Sequence, residues 1–210
     1  MHYLKLNIAS IFLLFLTFPI LGQEENTEAI PPNLVLRARV VENEILLRWG
    51  VNDRNAWKLG NTYGYLIERT TILRDGNLLT KPETTVLTGG PIKPKPLAEW
   101  QSLVENNDMA AVAAQAIYGE DFSVNNGEEN PFIQVINQSS ELQQRFAFSM
   151  FAVDQSFVTA QYAGLGFRDR TIKKNERYLY NIKMAVPEEE LTIKEKNIVV
   201  MVGGSGLYTK

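Results

Sequence analysis

Tyr178-Leu179-Tyr180-Asn181-Ile182-Lys183-Met184 is the stretch on which the fold turns. Tyr178, Tyr180, Ile182 and Met184 fall at every second position, separated by Leu179, Asn181 and Lys183. Successive side chains of a strand point to opposite faces, so this spacing predicts a strand with one face on a core. Downstream, Pro187 to Glu190 reads as a turn, and Ile198, Val200 and Val202 repeat the alternation as a last strand.

The same period governs the front of the chain. Leu34, Leu36, Ala38 and Val40 alternate with Val35, Arg37 and Arg39; Ile45, Leu47 and Trp49 alternate with Leu46 and Arg48; Tyr65 and Ile67 alternate with Leu66 and Glu68. Glu42-Asn43-Glu44 joins the first two runs as antiparallel neighbours. Asp75-Gly76 marks a tight turn between Thr71-Ile72-Leu73 and Leu78-Leu79, because a two-residue hairpin needs positive φ where Asp and Gly tolerate it.

Between these blocks the period changes. Gly89-Gly90-Pro91-Ile92-Lys93-Pro94-Lys95-Pro96 cannot propagate a helix or a central strand. Leu97 to Glu105 then carries Trp100, Leu103 and Val104 at helical spacing. A second helix is expected over Met109–Tyr118, capped by Asp108 and ended by Gly119. Ser140 with Gln143 has the form of a capping box. The helix it opens would place Leu142, Phe146, Met150, Val153 and Phe157 on one face and run to Gly164.

The first residues carry an address. Met1-His2-Tyr3-Leu4-Lys5, an apolar run from Ile8 to Phe18 and the small residue Gly22 match a secretory signal peptide over 1–23. The run falls short of the roughly 20 residues a membrane span needs. A flexible leader is expected over 24–32. Gly203-Gly204-Ser205-Gly206 reads as a flexible linker, and residues 204–210 have two readings: a linker, with the chain the N-terminal domain of a larger protein, or a natural frayed tail. The expected location is secreted, periplasmic or at the cell surface, without stable membrane insertion after cleavage.

Composition narrows the chemistry. The 210 residues carry a net charge of −3, with 45% hydrophobic and 21% charged residues and no cysteine. A mildly acidic pI near 5.4 leaves no footprint for nucleic acid. The only histidine, His2, lies in the signal peptide, as does Lys5. After cleavage 20 Lys and Arg face 24 Asp and Glu, a net charge of −4. Without His or Cys, Ser-His-Asp and Cys-His catalysis are excluded, and ordinary zinc sites are not expected. Carboxylates, Lys, Tyr or Ser-Lys arrangements are what an enzyme would have left. No cofactor and no metal is expected.

The two strand blocks resemble a fibronectin type III domain split by an insertion. Ile45-x-Leu47-x-Trp49 resembles that family's second strand with its core tryptophan, and Tyr65-x-Ile67-x-Arg69 its third. Phe167-x-Asp169-x-x-Ile172, followed by Tyr178-x-Tyr180-x-Ile182, is similar to the passage from its fifth strand into its sixth. The resemblance implies that the Tyr178 hydroxyl bonds back to the preceding loop as a tyrosine corner. Lys174-Asn175 stands where the family usually has Pro-Gly, and Asn tolerates the same turn. The likeness covers roughly 33–88 and 165–203; about 75 mostly helical residues replace a short connection between them. The expected fold is mainly β: a fibronectin type III-like (immunoglobulin-like) β-sandwich over 33–203, interrupted by an α-helical insertion at about 90–165. Trp49, Tyr65, Tyr178 and Tyr180 are its structural residues. An unrelated α+β domain is the alternative.

The resemblance implies a module for binding, spacing or display rather than an enzyme, with a protein or glycan at the cell surface as partner. Trp57, in the polar stretch Asn52 to Lys58, is a candidate ligand-binding residue, since loop aromatics stack on sugars or anchor partners. Its other reading is a cover over the inserted helices. Tyr63 and Trp100 complete the candidate set, although Trp100 on an apolar helix face reads first as core. Glu120, Asp121, Glu128 and Glu129 offer oxygen ligands without any EF-hand spacing, and read first as a solvated acidic loop. Asn137-Gln138-Ser139 is a formal glycosylation sequon. Two alternatives remain beside the binding module: a carbohydrate-binding accessory domain centred on Trp57, and a carboxylate-dependent hydrolase.

Overall fold

Residues 33–120, 141–190 and 197–203 are described by a computed structural model of the chain. The expected signal peptide and leader, the acidic and sequon-bearing stretch 121–140 with the expected Ser140 cap, and the expected linker or tail over 204–210 lie outside these residues.

The alternating runs form seven strands among the described residues: β1 (Leu34–Val41), β2 (Glu44–Val51), β3 (Tyr65–Arg74), β4 (Asn77–Val86), β5 (Gly166–Asp169), β6 (Glu176–Met184) and β7 (Asn197–Gly203). They make two antiparallel sheets, ordered β1-β2-β5 and β4-β3-β6-β7. Both expected hairpins are present. Glu42 adopts φ 53° between β1 and β2, and Asp75 and Gly76 adopt φ 51° and 80° between β3 and β4, the pair of positive angles a tight hairpin turn requires.

Leu34, Leu36, Ile45, Leu47, Trp49 and Val51 of the first sheet share one buried cluster with Tyr65, Ile67, Tyr178, Tyr180, Ile182 and Met184 of the second. Trp49 meets Tyr65 edge-on, with ring centroids 5.7 Å apart. Each such aliphatic or aromatic side chain contributes about 1.5–3 kcal/mol on burial. Edge strand β4 is exposed almost throughout. It carries Lys81 and Pro82, residues that discourage pairing with another strand.

The stretch read as a polar loop between β2 and β3 is instead a helix, α1 (Arg54–Tyr63). Asp53 caps it by accepting from Asn55 N (2.9 Å) and Ala56 N (2.8 Å). Ala56, Trp57 and Gly60 form its buried side. Leu59 and Tyr63 flank it, half-buried against the same core, while Arg54, Asn55, Lys58 and Asn61 give the stretch its polar look. Gly64 ends the helix at φ 83°, where a Cβ would lie 2.6 Å from the Ile92 carbonyl oxygen. That close approach lets Tyr65 and Ile92 exchange backbone hydrogen bonds of 2.9 and 2.8 Å, tying the proline-rich passage to the start of β3.

Four further described helices follow β4: α2 (Leu97–Val104), α3 (Asp108–Tyr118), α4 (Glu141–Gln155) and α5 (Phe157–Tyr162). The cap of α3 is Asn107, one residue before the expected Asp108, and its side chain accepts from Ala110 N at 3.0 Å. The expected single helix to Gly164 breaks after Gln155. Ser156 takes an extended conformation (φ −138°, ψ 114°) and caps α5 by accepting from Thr159 N. Buried Trp100, Ala110, Ala113, Ala152 and Ala160 belong to the same core as the sheet residues, so sheets and helices pack around one interior. Among the described residues no helix is long and apolar enough to cross a membrane.

Candidate binding groove

The outward face of the β1-β2-β5 sheet follows from its register. Val35 stands opposite Gly50, Arg37 opposite Arg48, and Arg39 opposite Leu46, while Leu46 faces Arg168 across the next strand boundary. The core-facing alternation of Leu36, Leu47 and Trp49 thus sends Arg37, Arg39, Arg48 and Arg168 outward together.

Helices α4 and α5 flank this face. Gly50 makes room for them: a Cβ there would lie 3.3 Å from Met150 Sδ. Arg48 Nη1 donates to the carbonyls of Val153 (3.2 Å) and Asp154 (2.9 Å), and its guanidinium pairs with the Asp154 carboxylate. A cation at the last turn of a helix satisfies orphan carbonyls and matches the negative end of the helix dipole.

Sheet and helices leave two adjoining depressions that share Arg37, Arg48 and Asp154. The larger, about 790 Å³, is lined by Arg37, Ala38, Arg39, Val40, Leu46, Arg48, Asp154 and Phe157. The smaller, about 480 Å³, runs past Val35, Gly50, Met150 and Phe151. Arg37, Arg39 and Arg48 line them. Arg168 pairs with Glu44 and lies 5.4 Å from the Phe157 ring centroid, and Arg170 donates to Glu44 at 3.2 Å. Asp154 and Glu44 therefore serve Arg48, Arg168 and Arg170. Arg37 and Arg39 are exposed and make no ion pair with a described residue. On a chain of net negative charge, this is a cationic groove with an apolar floor.

A second polar cluster lies between the sheets. Asp169 Oδ2 accepts from Arg69 Nη1 and the Tyr180 hydroxyl, both at 2.7 Å, and its Oδ1 accepts from Thr171 N and Oγ1 at 2.8 and 2.7 Å. Burial pushes the Asp169 carboxyl up, but these hydrogen bonds outweigh it and hold the group below the usual carboxylate range. Tyr178, fully buried, donates to Glu176 at 2.8 Å and accepts from Lys173 N at 2.7 Å, the back-bond to the loop expected of this residue. Burial first, then the bond to Glu176, pushes the Tyr178 phenol up to about 12. Both Asp169 carboxylate oxygens are occupied within the protein, as a structural clamp requires.

The candidate ligand-binding residues do not come together. Trp57 is 3% exposed on α1, packed against Phe146 at 6.3 Å between ring centroids. Trp100 is 1% exposed, wedged between Tyr118 and Tyr162, with its indole N–H donated to the Lys95 carbonyl at 2.8 Å. Neither exposes a ring face for a ligand, which corrects the exposed-loop reading of Trp57: on a helix, its side chain joins the core. Tyr63 is half-buried and donates its hydroxyl to Glu190. None of the three lines the groove. Trp49, Tyr65, Tyr178 and Tyr180 are buried in the core.

No motif in the sequence marks the groove arginines as a site. Arg37, Arg39 and Arg48 are visible there as solvent-facing positions, but pairing register alone sets Arg37 beside Arg48 and Arg168 beside Leu46. Among the described residues no group of three or more Asp or Glu side chains is placed to hold a metal. Compared with protein-family models, curated proteins and solved structures, the chain matches none.

Proposed function

We propose that this chain is a non-catalytic binding or assembly module of the bacterial cell envelope or surface, exported through its first 23 residues. Its scaffold on this reading is a fibronectin type III-like β-sandwich whose helical insertion, between the fourth and fifth strands, builds one wall of the groove. The strand order β1-β2-β5 and β4-β3-β6-β7 and the Lys173–Tyr178 back-bond support that scaffold. The observation that carries the function is the groove itself: two arginines with no ion pair among the described residues, over an apolar floor, walled by scaffold and insertion together. Guanidinium groups bind anions well and are poor general bases, so the site is suited to recognition.

Two measurements test the reading. The exported protein should begin near residue 24 by N-terminal sequencing. The purified mature chain should leave polysaccharide and peptide panels unhydrolysed; turnover abolished by a single Asp or Glu substitution would refute the module.

A further inference from the structure

We propose that the groove takes an extended acidic peptide, with carboxylates at alternate positions meeting Arg37 and Arg39 and apolar side chains resting on Leu46 and Phe157. This rests on the binding-module reading and adds the chemistry of the partner.

Three observations carry it. First, Arg37 lies directly opposite Arg48 on the outward face. Like charges at facing positions of an antiparallel pair repel. Asp154 neutralises Arg48 and damps that repulsion, which leaves Arg37 as the member of the pair without a counter-charge among the described residues, open to an incoming anion. Second, the spacing suits an extended chain. Residues two apart on a strand are about 6.8 Å apart, and the same repeat separates same-side residues of an extended peptide. Carboxylates at positions i and i+2 of the partner therefore reach Arg37 and Arg39 in step. Guanidinium groups favour such partners, since their planar fork matches a carboxylate with two parallel hydrogen bonds. Third, the floor is apolar. Leu46 stands between Arg39 and Arg168 in the register, and Phe157 borders the same depression. A polyanion of charge alone would leave these surfaces unused, whereas an alternating peptide lying edge-on in the groove turns its carboxylates toward Arg37 and Arg39 on β1 and its apolar side chains toward Leu46 and Phe157 on the other side.

The test uses the full mature chain and three probes in fluorescence anisotropy at low salt. A labelled peptide Glu-Val-Glu-Leu-Glu is set against a block peptide Glu-Glu-Glu-Val-Leu of equal charge and against polygalacturonate. The alternating peptide should bind at least 10-fold more tightly than the block peptide. It should lose at least 10-fold in the Arg37→Gln/Arg39→Gln variant and weaken with added salt. Circular dichroism checks that the variant keeps its fold; both residues are exposed. Equal binding of the two peptides would overturn the proposal by showing that charge alone is read. Binding of polygalacturonate, lost in the variant, with no peptide binding would also overturn it, while leaving the module reading intact. Binding by no probe removes the acidic-peptide proposal; the hydrolysis panel then decides the module reading separately.

Discussion

Asp169 and Tyr180 pin the two sheets to each other: the Tyr180 hydroxyl on β6 donates at 2.7 Å to the carboxylate on β5. Arg69 of β3 donates to the same oxygen, and the Asp169 side chain is 1% exposed. Removing one member of a buried charged pair strands the other in a poor solvent. Asp169→Ala should therefore cost about 3–5 kcal/mol in urea unfolding. An Asp169→Ala protein as stable as the parent would show that the clamp is not needed.

The same cluster sets the response to acid. Asp169 and Glu176 both sit below their ordinary values of 3.8 and 4.5 in the folded chain. In each, burial pulls the other way and hydrogen bonds prevail: those of Thr171, Tyr180 and Arg69 at Asp169, those of Arg74 and Tyr178 at Glu176. A depressed folded value contributes stability above the unfolded value, and that stability is lost as pH falls through the folded one. The urea midpoint should drop from pH 7 to pH 3, and drop less in Asp169→Asn/Glu176→Gln, compared with its own value at pH 7. Parallel pH profiles for the two proteins would count against this assignment.

Tyr65 carries a buried hydroxyl with no hydrogen-bond partner among the described residues. An unmet polar group in the core is costly, so Tyr65→Phe should hold or raise the melting temperature. The hydroxyl also blocks α1: a Cβ on Gly60 would lie 2.1 Å from it. Gly60→Ala should destabilise by about 1–3 kcal/mol. Tyr65→Phe should recover part of that loss in a double-mutant cycle; strictly additive effects would contradict the clash.

Arg145 on α4 closes the end of α3. It donates to the carbonyls of Gln115, Ala116, Gly119 and Glu120 at 2.7–3.3 Å. Its side chain is mostly buried. Arg145→Ala should cost about 1.5–3 kcal/mol, and hydrogen exchange should quicken in the last turn of α3 before it does in β3 or β6. Uniform quickening across the chain would argue against a local cap.

Arg37→Thr removes the charge facing Arg48. The free protein should be unchanged or gain up to about 0.2 kcal/mol, the low end for a cross-strand charge pair, because Asp154 already neutralises most of Arg48. A clear loss of stability would mean that Arg37 serves the fold itself.

Local patterning accounts for what could be read ahead of the structure. Strands announced themselves wherever one face is buried, because a period of two survives any detail of packing; β2 and β6 are the plainest cases. Asp75-Gly76 named its own hairpin, since few residue pairs tolerate two positive φ angles. Helix α1 did not announce itself. Its buried residues are Ala56, Trp57 and Gly60, with Leu59 and Tyr63 half-buried beside them, so one large side chain alone is buried amid Arg, Asn and Lys, and Asp53, placed to cap the helix, is equally a loop residue. The break at Ser156 was hidden for a related reason: the apolar spacing from Leu142 to Phe157 continues across it, while the cap that divides the helices is a hydrogen bond.

Residue order alone determined the strands, the two tight turns, the helical character of the middle stretch, and the absence of any histidine or cysteine beyond residue 2. Each depends on neighbours a few positions apart. Tertiary structure alone decided that Trp57 is core and that Asp169 clamps two sheets. It also gathered arginines from β1, β2 and β5 beside a groove. Those outcomes depend on register and on contacts between residues as far apart as Glu44 and Arg168, 124 positions, which no local pattern encodes.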